Sequence, residues 1–403
     1  MEELIDRNSY IDIIRPLIDK QLIKVLTGQR RVGKSQMLKL IIKEVRAERP
    51  DAVIITIDKE LEQFNPITNH RQLYTYVKQK LKKHRKNYLF IDEIQEIDEF
   101  QRCLRSLLNE KLCDIYCTGS SAKMLSGELA TLLAGRYIEI PIHSLSYREF
   151  LTFNDQEDSA ENLQRYLTLG GLPYQRHIGF TYNLVFEYLK NVYASILLKD
   201  IVSRENIRNV SLLENLVAYL ADNIGSLFSA QNISKYLKSQ QISIPTQSVI
   251  NYLHALANAY FIHRVPRADV NGLKIFEIGE KYYFEDLGLR NSIRSFNYRG
   301  DINKLMENAV YLHLIRSSYR VFVGKDGDQE IDFMAERNGE RIYIQVCYML
   351  TDEKTIQREF GNLSVLKDNY PKYVVTMDPV IPANTYKGIR QISLREFLLM
   401  EKW

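Results

Sequence analysis

The sequence predicts an α/β fold built around a parallel sheet. Three observations carry that expectation. Short apolar runs alternate with amphipathic helical patterns from residue 20 to 140, the mark of successive strand–helix–strand units. Residues 28–35 read Gly-Gln-Arg-Arg-Val-Gly-Lys-Ser, a G-x-x-x-x-G-K-[ST] string set between a strand and a helix. The run Tyr88–Ile91 is apolar without alternation, as in a strand covered on both faces, and it ends in Asp92-Glu93.

Each element follows in order. Leu22–Leu26 reads as the first strand and Ser35 to about Arg46 as the helix after the glycine-rich loop. Gly28 and Gly33 let the backbone curl so that successive N–H groups point inward, which is what phosphate oxygens need. The helix adds the positive end of its dipole. Gln29, Arg30, Arg31, Val32 and Gln36 complete the loop and its exit. This P-loop would bind ATP, with Lys34 reaching the β- and γ-phosphates and the Ser35 hydroxyl ligating Mg²⁺. Val53–Ile57 is the second strand and Asn69–Lys83 a helix. Asp92, at the carboxyl end of the third strand, would hold Mg²⁺, and Glu93 would polarise the attacking water. The same pair could instead cap a helix.

Asp114–Cys117 is a fourth strand and runs into Thr118-Gly119-Ser120-Ser121. Ser120 is the first candidate for a γ-phosphate sensor and Thr118 the second. An N-cap for a helix beginning near Ala122 is the competing role. Gly135-Arg136-Tyr137 leads into a last strand, Tyr137–Ile140. Arg136 would stabilise charge on the transferring phosphoryl group, from its own subunit or from a neighbour, or else lie solvated on the surface.

Bulk properties narrow the classes. A chain of 403 residues suggests two to four domains. It is 45% hydrophobic and 26% charged, an ordinary soluble balance. The net charge of +4 is carried by dispersed lysines and arginines and does not by itself imply nucleic acid. Met1-Glu2-Glu3-Leu4 lacks the basic-then-apolar order of a secretory leader. No apolar run approaches a membrane span, so a cytoplasmic protein without a membrane partner is expected. Cys103, Cys113, Cys117 and Cys347 form no C-x-x-C pair. Free thiols, rather than disulfides or a zinc site, are expected.

Beyond residue 208 a compact unit is legible. Ser211–Asn223 is one helix, Ser229–Ser239 a second with Ser229 as N-cap, and Pro245 opens a third that runs to about Tyr260. Val249, Leu253, Leu256 and Tyr260 share one face of the third. A hairpin of Ile262–Pro266 with Lys274–Ile278 would turn at Asn271-Gly272. Three helices and a hairpin make a winged helix. Its third helix would expose Gln247, Ser248, Asn251, His254 and Asn258 but carries no lysine or arginine for phosphates. DNA binding and a protein-contact role both stay open. Further on come a helix Glu307–Ser317, strands Arg320–Val323, Glu330–Ala335 and Arg341–Val346, a helix around Lys354–Lys367 and a strand Tyr373–Thr376.

The ordered motifs resemble a known family. They are Gly28–Ser35, Leu89-Phe90-Ile91-Asp92-Glu93-Ile94-Gln95, Thr118-Gly119-Ser120-Ser121, Ala134-Gly135-Arg136 and Leu145–Leu151. Later come Gly170-Gly171-Leu172-Pro173, Leu198–Val202, Lys281–Arg290 and Glu330–Phe333. The chain is similar over nearly its whole length to the prokaryotic AAA+-type P-loop ATPases of unknown role. The resemblance implies an ATPase core over 1–144, a helical lid over 145–208, a winged helix over 209–285 and a restriction-endonuclease-like (PD-(D/E)xK-like) domain over 286–403. In active endonucleases of that fold an aspartate and a further acidic residue hold Mg²⁺, and a lysine two positions on positions water. Asp332 matches the aspartate and Glu307 the upstream helix glutamate. Gln345 stands where a carboxylate is usual, although some active members accept glutamine there, and Cys347 stands where the lysine belongs. A neutral thiol supplies no positive charge beside a phosphate, so a degenerate, non-cleaving domain is expected.

The resulting expectation is an ATP- and Mg²⁺-dependent ATPase whose turnover moves its later domains. The rivals are a slow ATP-dependent switch that binds a protein partner or DNA, and an ATP-regulated nuclease. A homo-oligomer or an unknown protein client would be the partner.

Overall fold

The computed structural model describes residues 4–122, 133, 135–272, 275, 279–294, 296–350, 352–378 and 385–401. The chain divides into two compact units. One is Met1–His143 with Asn258–Tyr260, the other Ser144–Ala257 with Phe261–Trp403.

The first unit runs α1 (Asn8–Ile14), β1 (Ile23–Thr27), α2 (Lys34–Glu48), β2 (Val53–Asp58), α3 (His70–Lys80), β3 (Asn87–Asp92), α4 (Phe100–Asn109), β4 (Asp114–Gly119) and β5 (Tyr137–Pro141). The five strands form one parallel sheet in the order β2-β3-β4-β1-β5. All five residues of β1 are buried, and the ammonium of Lys24 among them is paired with Asp114. Phe100, Cys103, Leu104, Leu107 and Leu108 make one apolar stripe on α4 that joins Ile55, Ile57, Leu89, Ile91 and Ile115 in the core. Each such side chain, once fully buried, contributes about 1.5–3 kcal/mol. The expected strands recur within a residue or two at each end. The helix expected from Ala122 lies, past residue 122, outside the described residues.

Strand order sets the site. β4 lies between β1 and β3, and all run the same way, so the segments leaving their carboxyl ends gather at one edge.

The second unit begins with α5 (Tyr147–Phe153), α6 (Ala160–Leu169) and α7 (Tyr182–Ser195), the last continuing as a π-helical stretch over Ile196–Ser203. Then come α8 (Val210–Asp222), α9 (Ala230–Ser239), α10 (Thr246–Asn258), β6 (Ile262–Val265), β7 (Arg267–Asp269), β8 (Lys281–Phe284), α11 (Leu287–Ile293) and α12 (Tyr298–Arg316). The chain continues with β9 (Arg320–Asp326), β10 (Gln329–Arg337), β11 (Glu340–Val346), α13 (Glu353–Ser364), β12 (Lys372–Thr376), β13 (Thr385–Tyr386), β14 (Ile389–Ser393) and α14 (Leu394–Leu399). Side-chain caps mark the helix starts: Ser146 with Glu149 makes a capping box, and Ser229 and Asn297 accept from the amides of Asn232 and Gly300. A mixed seven-stranded sheet is ordered β13-β14-β12-β11-β10-β9-β7.

One expectation falls partly outside the described residues and another needs correction. Of the hairpin expected between Ile262–Pro266 and 274–278, residues 274 and 276–278 lie outside the described residues, while Ile275 bridges antiparallel to Ala268 of β7. β6 pairs antiparallel with β8, which is buried at every position. The turn itself forms, since Asp269 accepts from the amides of Asn271 and Gly272, but β7 joins β9 in the larger sheet. The helix expected from Glu307 begins at Tyr298, nine residues earlier, on the Asn297 cap.

Tight backbone approach locks the middle of this unit. A Cβ on Gly288 would lie 1.9 Å from the Leu169 carbonyl oxygen, and one on Gly170 (φ +76°) would lie 2.3 Å from Asp286. Asp286 accepts from the amides of Gly171 (2.7 Å) and Leu289 (2.9 Å), and Asn291 donates to the carbonyls of Leu167 and Thr168. The Gly-Gly-Leu-Pro and Glu-Asp-Leu-Gly-Leu-Arg landmarks are therefore two halves of one joint.

His313, on α12, is buried beside Phe397 of α14 with ring centroids 5.4 Å apart. Burial pushes its pKa down to about 3, and Arg316 and Arg148 push the same way. An unfolded chain takes up the proton near pH 6.5. The folded chain thus binds fewer protons between those values, and stability falls as pH falls through that window. The slope is up to about 1.4 kcal/mol per pH unit. Urea midpoints at pH 7, 6 and 5 are expected to drop less in His313→Gln than in the wild type; identical slopes would show that His313 does not drive the acid limb.

Candidate functional site

The edge where β1, β3 and β4 end carries a cluster of buried polar side chains. Gly28 (φ +141°) and Gly33 (φ +97°) hold conformations that side chains resist. A Cβ on Gly28 would sit 2.1 Å from the Ile142 carbonyl oxygen, so the loop admits nothing larger there. α2 starts directly after Gly33 without a side-chain cap, so its first amides are available to a ligand. Lys34 is buried and donates to the carbonyls of Gly28 (3.0 Å) and Gln29 (2.9 Å). Gln29 is fully buried, and neither polar atom of its amide has a partner in the protein. Buried amides are normally satisfied, so this cradle is built for something besides protein. Val32 packs inward, Arg31 is exposed at φ +73°, and Arg30 lies 4.0 Å from Glu60. Gln36 is half-buried on the first turn of α2.

Across the edge, Asp92 is buried at the end of β3. Burial raises its pKa, while hydrogen bonds from the Ser35 and Thr118 hydroxyls work the other way. Thr118, on β4, donates to Asp92 Oδ1 at 2.5 Å and accepts from the Glu93 amide at 2.9 Å. One hydroxyl thereby fixes both acidic residues. Glu93 sits at φ +52°, a left-handed conformation that a glutamate adopts at some cost. Its Oε2 accepts from Gln95 Nε2 and from Ser120 Oγ (3.3 Å), and Ser120 is itself buried.

So the structure brings Gly28–Ser35, Asp92, Glu93, Thr118 and Ser120 together. It does not bring Arg136. That residue stands at the amino end of β5, where its carbonyl accepts from Ile23 at 2.9 Å and its guanidinium donates to Asn109 at 3.1 Å. A strand of five residues, roughly 16 Å, separates it from the loop that follows β1. One arginine side chain does not span that, so a role on phosphate within its own subunit is excluded. Reading the sequence also missed Arg7. It is buried, donates to the carbonyls of Val32 (3.2 Å) and His143 (3.0 Å), and so pins the loop from behind. A lone arginine ahead of α1 has no pattern to announce it.

In the second unit Glu307, Asp332 and Gln345 also meet. The Asp332 amide donates to Gln345 Oε1 at 3.3 Å, and Asp332 Oδ2 accepts from the Val346 amide at 3.0 Å. Register shifts between Ile331 and Met334, an irregularity that aims Asp332 at this cluster. Cys347 is buried, and burial pushes its thiol up to about 12. The missed member is Lys281, whose ammonium lies 3.0 Å from Glu307 and 3.2 Å from Asp332. Its signal, a lysine opening an apolar strand, stands 26 residues before Glu307.

Residues 20–151 match an AAA domain, and residues 160–299 match a domain of unknown function. An uncharacterised protein of Haemophilus influenzae is 31% identical over 382 residues, covering 93% of each chain. An uncharacterised protein of Methanocaldococcus jannaschii is 29% identical, covering 82% of this chain and 75% of its own. Among solved structures, a Walker-type ATPase of Pyrococcus abyssi shares the fold. Its TM-score is 0.50 at 15% identity, over 73% of this chain and 96% of its own. Among the described residues no helix is long and apolar enough to cross a membrane.

Thr118→Val is expected to lower stability by about 1–3 kcal/mol in urea unfolding, because buried Asp92 loses a hydroxyl donor. Thr118→Ser should restore most of it. An unchanged midpoint for the valine variant would show the bridge to be idle.

Proposed function

The chain belongs to one family with the Haemophilus influenzae protein and carries an AAA domain, and from that premise we propose that it binds ATP with Mg²⁺ and hydrolyses it. The observation that carries this reading is the Thr118 hydroxyl holding Asp92 and Glu93 opposite Ser35 and the loop. The residues present fit a triphosphate. The uncapped amino end of α2, the glycine cradle and the unpartnered Gln29 amide all offer donors to an anion. Lys34 exchanges its two carbonyl partners for phosphate oxygens. Ser35 and Asp92 are the residues that would hold Mg²⁺. Held by those two residues, Mg²⁺ would supply positive charge against the phosphate oxygens.

The chain's own contribution is positioning and proton removal. Asp92 is fixed by Thr118, so its carboxylate meets the loop in one orientation. Glu93 is the group that takes the proton of the attacking water. Its Oε2 is held by Gln95 and Ser120, which orients the carboxylate and leaves Oε1 to meet the water. Ser120 then faces the terminal phosphate as its sensor. A role for Arg136 on phosphate requires a second copy of the chain, which makes a homo-oligomer the active form under that reading.

Turnover would switch the conformation of the later segments. Helices α8–α10 with the β6–β8 pair support a winged-helix reading, and α12–β9–β10–β11–α13–β12 supports an endonuclease-like one. On α10, Gln247, Asn251 and His254 are exposed and no lysine or arginine joins them. That favours a protein client over DNA.

ATP hydrolysis by wild type, Lys34→Ala and Glu93→Gln, with and without DNA and RNA, tests the reading. Wild type is expected to turn over. Lys34→Ala should neither bind nor hydrolyse, and Glu93→Gln should bind but lose about 100-fold or more in rate. A Glu93→Gln rate equal to wild type would overturn the assignment.

A further inference from the structure

The endonuclease-like resemblance implies a divalent cation among Glu307, Asp332 and Gln345, and the residues present do not fit one. Lys281, the first residue of β8, is 1% exposed. Its ammonium lies 3.0 Å from Glu307 Oε1, 3.0 Å from Glu330 Oε1 and 3.2 Å from Asp332 Oδ1. An ammonium has three donors, and here each has its own carboxylate. Tyr283, two residues along β8, donates to the same Glu307 oxygen at 2.6 Å. The remaining Asp332 oxygen accepts from the Val346 amide. Glu307 Oε1, Glu330 Oε1 and both oxygens of Asp332 therefore already meet protein donors, and a positive charge stands among the three carboxylates.

Distances argue the same way. Mg²⁺ needs oxygens near 2.1 Å in an octahedral set, whereas these carboxylates are spaced for contacts of about 3 Å to nitrogen. Among the described residues, Glu307, Glu330 and Asp332 do not bring one oxygen each within 4.8 Å of one another. Three carboxylates within 3.2 Å favour the charged form of the ammonium. At position 347, where an active endonuclease keeps its lysine, a buried cysteine stands. The lysine of this site has in effect come from another strand, and it is sealed from solvent, so it is out of reach of a phosphodiester.

We propose that Lys281 is the resident cation of the endonuclease-like pocket, closing it to divalent ions and tying β8 to α12 and β10 instead of serving phosphodiester cleavage. This inference stands apart from the ATP reading and shares no residue with it.

Removing the lysine should turn a closed ion cluster into a metal site. The probe is MnCl₂ with nucleotide-free, full-length protein, read as the thermal unfolding midpoint of the second unit and as cleavage of duplex and single-stranded DNA. Wild type is expected to show no Asp332-dependent shift and no cleavage. Lys281→Met, left with three facing carboxylates, should unfold earlier and recover by roughly 5 °C at saturating Mn²⁺. The Lys281→Met/Asp332→Asn double variant should not recover. The wild-type arm decides the matter even if Lys281→Met fails to fold. A wild-type shift lost in Asp332→Asn, or Mn²⁺-dependent cleavage lost in it, would overturn the proposal and make Lys281 the nuclease's own lysine. A folded Lys281→Met that gains no Mn²⁺ response would overturn it as well.

Discussion

The hydroxyl of Thr118 reaches Asp92 and the Glu93 amide because β4 runs between β1 and β3, and the candidate ATP site depends on that strand order. If β3 and β1 were neighbours, the acidic pair would face the loop without a donor between them. A buried carboxylate without donors is costly, and Asp92 is already raised by burial. The interposed strand supplies the donor. Behind the loop, Arg7 donates to the Val32 carbonyl and Ile142 leaves no space for a Cβ on Gly28.

Much of this was legible in the sequence, for physical reasons that differ by element. The P-loop reads clearly because its chemistry demands glycine at two fixed positions and a lysine and serine after them. β3 reads clearly because double-sided burial forces an unbroken apolar run. The division of labour between Thr118 and Ser120 was not legible. Both are hydroxyls at the end of one strand, and only pairing register shows that Thr118 faces Asp92 while Ser120 faces Glu93. Whether Arg136 would act in its own subunit or in a neighbour was open in the sequence, because a motif before a strand does not say which end of the sheet that strand start occupies. Parallel pairing of β5 with β1 puts it at the end away from the loop.

The second unit shows the limits of local signals. Asn271-Gly272 makes its turn, with Ile275 bridging back to Ala268, while β6 takes the buried Lys281–Phe284 segment as its antiparallel partner, beyond what the turn signal reaches. Lys281 itself is invisible to any spacing rule. It joins acids 26 and more residues away through a tertiary fold that no window of sequence contains. The glycines of the 170–171 turn and Gly288 belong to the same class. Their role is the close passage of two backbones, not a ligand, which is why they read as landmarks without a mechanism.

The measurement that bears most directly on the account is a crystal structure with Mg²⁺ and a non-hydrolysable ATP analogue. Its phosphates should lie on the amides that open α2. Lys34 should have left the carbonyls of Gly28 and Gln29 for phosphate oxygens, and the Gln29 amide should no longer stand alone. An analogue bound elsewhere, or absent at saturating concentration with Lys34 still on those carbonyls, would contradict the assignment of this edge as the ATP site.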